Sequence, residues 1–70
     1  MAMLWERSGD MFQATTRDAS GEVLFRLIVE RLDHAWDWSV WRPNDPPERA
    51  RHGTATTAQE AMKDAEGAAD

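Results

Sequence analysis

The stretch "HAWDWSVWRP", His34 to Pro43, collects the residue types most able to do chemistry. His34, with Asp33 before it and Asp37 after it, has the side chains of a metal ligand or a general base. A metal site needs further ligands at ordered spacing, and the second histidine, His52, lies on a different segment. Asp and His also gather at tight turns for backbone reasons. The turn reading is preferred, and no metal ligand is assigned. Nucleophilic catalysis has no better footing. The chain contains no cysteine, and Ser8, Ser20 and Ser39 lack the sharp glycine turn that exposes a nucleophilic serine. Asp64 and Glu66 fall on the solvated side of a helical segment, and the four glycines, at 9, 21, 53 and 67, form no phosphate loop. The expectation is a protein that is not an enzyme, with no catalytic residue and no cofactor.

Trp36, Trp38 and Trp41 offer a different chemistry, that of large rings which either fill a core or anchor a partner. The segment "AWDWSVWR" alternates, so Trp36, Trp38 and Val40 share one face of a strand while Asp37, Ser39 and Trp41 share the other. Before it, "EVLFRLIVERLD" (Glu22–Asp33) alternates too, with Val23, Phe25, Leu27 and Val29 opposed to Leu24, Arg26, Ile28, Glu30 and Leu32. A two-residue hairpin at Asp33–His34 pairs Leu32 with Ala35, Val29 with Trp38, Leu27 with Val40 and Arg26 with Trp41. That register sets apolar beside apolar on one face without a slip.

The helix that must meet this face is the C-terminal segment "TTAQEAMKDAEGAAD". Ala58, Ala61, Met62, Ala65, Ala68 and Ala69 recur at helical spacing and form an apolar arc of roughly 120°. Thr57, with Glu60 three residues later, is a capping box, so the helix is expected from Thr57 to about Gly67. Small residues on the helix and large rings on the sheet are complementary in volume. Trp36 and Trp38 are therefore expected in the core.

Elsewhere, "MLWER" (Met3–Arg7) and "MFQATT" (Met11–Thr16) read as short strands around Ser8-Gly9-Asp10, and His52–Thr56 could form another. "RPNDPPERAR" holds three prolines and must be a loop. The fold class expected is α+β: two layers, an antiparallel β-meander of three to four strands with one C-terminal helix packed on one face. Residues 1–70 are expected to form a single small domain, and the pattern leaves open whether Met1–Thr16 completes the sheet or residues 1–10 stay flexible.

Trp41 falls on the face a single short helix does not cover, with Leu24, Arg26, Ile28 and Leu32. It either rests its ring under the Arg26 guanidinium or anchors an interface. The alternative is that the N-terminal strands or Trp5 fold over this face. An uncovered apolar patch of this kind usually has a partner. Leu24, Arg26, Ile28, Trp41 and Arg42 are thus the expected partner-binding residues, for a homodimer or another protein.

Composition narrows the other classes. Eight Lys and Arg against thirteen Asp and Glu give a net charge of −5 in 70 residues, which disfavours nucleic acid because duplex binding rests on phosphate neutralisation. The minority reading is a single-stranded nucleic-acid binder that stacks a base on Trp41 and reaches phosphates with Arg26, Arg42, Arg49 and Arg51. The absence of cysteine fits a reducing cytoplasm. "MAML" is too short for a signal peptide's apolar region, no apolar run approaches the ~20 residues of a membrane span, and nothing indicates a small-molecule ligand.

From Leu24 to Ala69 the order of strand, strand, short strand and capped helix, closing with "HGTATTAQEAMKDAEGAA", resembles the HicB-type antitoxin domain, a partial-RNase-H-like fold. Gly53, Thr57, Glu60 and Ala61 match the family's glycine and threonine before a helix opening on a Glu-Ala pair. The "RPND" after the second strand is similar to its proline-aspartate loop, although "PNDPPERAR" replaces the family's glycine-bearing stretch. The resemblance implies dimerisation and capping of a partner toxin, without catalysis.

Overall fold

A computed structural model describes residues 4–69. The chain runs β1 (Glu6–Ser8), β2 (Met11–Arg17), β3 (Val23–Leu32), β4 (Ala35–Trp41), a short 3-10 turn at Pro47–Arg49, β5 (Arg51–Ala55) and α1 (Ala58–Ala68). The strands form one antiparallel sheet in the order β1-β2-β3-β4-β5, a meander in which each strand pairs with its neighbour in sequence. The α+β class and the single C-terminal helix match expectation, but there are five strands rather than three or four. The first of them, β1, is three residues long and wholly exposed. A strand that short and that wet carries no readable alternation, and pairing with β2 alone defines it. The expected strand at Met3–Arg7 starts outside the described residues, and within them β1 begins at Glu6.

The long hairpin has the expected register. Leu32 pairs with Ala35, Val29 with Trp38, Leu27 with Val40 and Arg26 with Trp41. Asp33 takes φ +56 at the first turn position, a left-handed conformation that Asp tolerates better than most residues. Continuing the rows through β2 and β5 aligns Ala14, Leu27, Val40 and Arg51 on one face, with Phe12, Val29, Trp38 and Gly53 beside them.

The helix covers that face. Ala14, Leu27, Val40 and Ala65 form the buried cluster, and Trp5, Phe25, Trp38, Ala68 and Ala69 pack against it. Ala61 and Ala65 are fully buried, because a side chain of one methyl lets the helix backbone settle onto the large groups of the sheet. The fully buried side chains of the sheet are Leu27, Val29 and Val40. Trp38 and Trp36 face the helix layer but are only half-buried. Trp36 instead packs its ring against Phe12, with centroids 6.0 Å apart and planes tilted by 53°.

The N-terminus of α1 is capped as anticipated on one side of the box and differently on the other. The Thr57 hydroxyl accepts from the Glu60 amide at 3.1 Å. The Glu60 carboxylate accepts from the Thr56 hydroxyl at 3.0 Å, rather than from the Thr57 amide.

Dimensions explain what the helix leaves bare. Eleven helical residues at 1.5 Å each span about 16 Å, whereas the ten residues of β3 at ~3.3 Å span about 33 Å. One short helix covers part of one face. The opposite face, and the end of the sheet near the proline loop, have no layer over them among the described residues.

Candidate functional site

Alternation and register assign the side chains of the open face row by row. Thr15, Arg26 and Trp41 form one row, Gln13, Ile28, Ser39 and His52 the next, and Met11, Glu30, Asp37 and Thr54 the third. Leu24 and Leu32 lie at the two ends of β3 on the same face, 44% and 62% exposed. Ile28 and Trp41 are half-buried. A shallow groove of about 180 Å³ runs between Leu4, Glu6, Gln13, Arg26, Ile28 and Trp41.

Two expectations about this face can be resolved. Trp5 does not fold over it. Its indole Nε1 donates to the Glu66 carboxylate of α1 at 2.8 Å, and the ring packs on the helix side of the sheet. Nor does Arg26 cap Trp41. The cation–π contacts among the described residues are Arg7 over Phe12, 5.7 Å from the centroid, and Arg42 over Phe25, 4.9 Å. Trp41 thus has neither a cationic lid nor a second layer.

Of the five residues expected to bind a partner, four share the open face: Leu24, Arg26, Ile28 and Trp41. Arg42 does not. One step beyond Trp41 in the alternation, it points to the helix side and lies over Phe25. There it joins Arg49 and Arg51 around a second cleft of about 510 Å³, bounded also by Asp45, Trp41 and Ala68 at the end of α1.

The open face also carries two acids outside the expected binding set, Glu30 and Asp37. They are paired across β3 and β4, four residues along each strand from the Arg26–Trp41 pair. The hairpin register already implied their position. They lie on the far side of Ile28 from Trp41.

His34 and His52 are exposed and stand apart, the first in the β3–β4 turn and the second on β5 opposite Ser39. Among the described residues no cluster of three or more His, Cys, Asp or Glu side chains is placed to hold a metal ion, and no helix is long and apolar enough to cross a membrane. No family model, curated protein or solved structure matches the chain.

Proposed function

We propose that this protein is a non-enzymatic assembly module that pairs with a second copy of itself through the open sheet face. The observation that carries the reading is the arrangement of charge about Ile28. Arg26 lies on one side of it along β3, and Glu30 with its cross-strand neighbour Asp37 lies on the other. Let a two-fold axis lie in the plane of the face, perpendicular to β3 and passing at Ile28. It sets Ile28 against Ile28, and the Arg26 row of each copy against the Glu30–Asp37 row of the other. Such an isologous contact is self-complementary, the commonest arrangement of homodimers.

Size and chemistry support it. Five strands at ~4.8 Å by about seven residues at ~3.3 Å give a projected face of roughly 550 Å², of the same order as the ~800 Å² per partner of a standard interface. Trp and Arg, the side chains most often dominant in binding energy, are adjacent on it at Trp41 and Arg26. The HicB-type resemblance of residues 24–69 implies the same kind of work, with a toxin as a further partner.

Sedimentation equilibrium over a range of concentrations tests the reading. The expected result is a mass tending to twice the 8.0 kDa of the chain, with weaker association at high salt. A monomer at high micromolar concentration in low salt overturns it.

A further inference from the structure

Three of the eight cationic side chains of this acidic chain converge on one cleft. The fold explains how. Arg51 lies opposite Val40 on the helix-side face, one row short of Phe25 and Arg42. Arg49 comes from the 3-10 turn of the loop that joins β4 to β5. All three line a cleft of about 510 Å³, within the range of small-molecule sites. The cleft exists because α1 ends at Ala68, before the sheet does.

Prolines and backbone hydrogen bonds constrain the loop that carries Arg42 and Arg49. Pro46 and Pro47 hold their own backbone angles, and the amides of Asp45, Arg49 and Ala50 donate to the carbonyls of Arg42, Pro46 and Pro47 at 3.0–3.1 Å. The Arg42 guanidinium is further located by the Phe25 ring, 4.9 Å below it. Cations held this way lose less freedom on binding than cations on a mobile loop.

Charge balance then identifies what the cleft accepts. Among the described residues, three guanidiniums face one lining acid, Asp45. Among the described residues, none of the three donates a side-chain hydrogen bond or forms an ion pair with a carboxylate. Glu48, on the same turn, is not part of the lining. The C-terminal end of α1 adds a partial charge of about −0.5, and the last turn of that helix has no basic residue of its own. Helix-end compensation therefore absorbs only a fraction of the surplus. What remains is between one and two positive charges, the complement of a phosphate monoester at neutral pH, which carries about −1.5 to −2. Guanidiniums also match phosphate oxygens in geometry, through paired N–H donors.

We infer that the cleft bounded by Arg42, Arg49 and Arg51 binds a small phosphate monoester, with the phosphoryl group among the guanidiniums and its organic part toward Phe25. The cleft shares Trp41 with the open face, but its cations lie on the helix side and the inference does not depend on dimerisation.

The test is a titration of the whole chain with inorganic phosphate and with phenyl phosphate at constant ionic strength, followed by NMR of backbone amides and arginine Nε–H groups. Saturable shifts confined to Arg42, Arg49, Arg51 and their neighbours are expected, phenyl phosphate binding more tightly and also moving Phe25. The R49Q/R51Q variant is expected to weaken binding about tenfold or more, two charge-assisted contacts being lost. Shifts that do not saturate, that are matched by chloride at equal ionic strength, or that persist in that variant overturn the assignment. A single-stranded oligonucleotide that saturates these resonances while phenyl phosphate does not also overturns it, in favour of nucleic acid. If the variant melts before it can be read, the wild-type comparison of phenyl phosphate with chloride decides alone.

Discussion

The indole of Trp38 lies directly on the backbone of Gly53, its cross-strand partner. A Cβ at that glycine would meet ring atoms Cζ2 at 2.7 Å and Cε2 at 2.9 Å. The ring is the rigid part of a side chain packed against the core cluster, and its Nε1 is buried with no hydrogen-bond partner among the described residues. It cannot yield without disturbing that packing.

Gly53→Ala should therefore destabilise the protein by about 1–3 kcal/mol, the usual cost of overpacking. At an unobstructed strand position the same change would stabilise by a few tenths to 1 kcal/mol, because glycine weakens strands. Urea denaturation reads the sign directly. In a Trp38→Leu background the Gly53→Ala penalty should largely vanish, and a penalty that persists there would show that something other than the indole is being struck.

Thr57→Ala should cost about 1 kcal/mol, since the hydroxyl answers one of the free amides at the start of α1. Thr56→Ala removes only an exposed hydroxyl–carboxylate contact and should cost a few tenths. Thermal melts of the two variants, compared side by side, rank the two halves of the cap.

Trp41→Ala should leave a folded monomer, because the ring lies on the uncovered face and outside the buried cluster. Arg26→Glu should break association by setting acid against acid across the proposed two-fold. Adding Glu30→Arg and Asp37→Arg to Arg26→Glu reverses the sign of both rows and should restore dimers by sedimentation. Failure of that triple variant to reassociate, with a native circular-dichroism spectrum, would dismiss the register proposed for the interface.

Asp18 organises the β2–β3 turn. Its carboxylate accepts from the Ser20 hydroxyl and from the amides of Ser20 and Glu22, and the Ser20 hydroxyl above all holds its pKa below the ordinary carboxylate value. A group with a depressed folded pKa stabilises the fold above its unfolded pKa, and that contribution is lost as pH falls through the folded value. Ser20→Ala should move the Asp18 titration, followed by NMR, up toward the ordinary range. It should also shrink the loss of stability on acidification below about pH 4.

Period-two and period-3.6 patterns, with one capping threonine, were enough to determine the hairpin of β3 and β4, its register, the helix and the face that each ring of Trp36, Trp38 and Trp41 would take. These are local properties, since a strand must alternate and a two-residue turn leaves one pairing. The remainder depended on where elements end relative to one another. β1 has no pattern of its own and exists by pairing with Met11–Gln13. Trp5 could have covered either side of the sheet, and a hydrogen bond to Glu66, 61 residues away, decided for the helix side. Arg42 looked like a neighbour of Trp41 because it follows it in sequence. Adjacent residues of a strand point to opposite faces, and the short reach of α1 then brought Arg42 together with Arg49 and Arg51 in one cleft. Contacts between elements distant in sequence are set by lengths and crossing geometry, which no local pattern encodes.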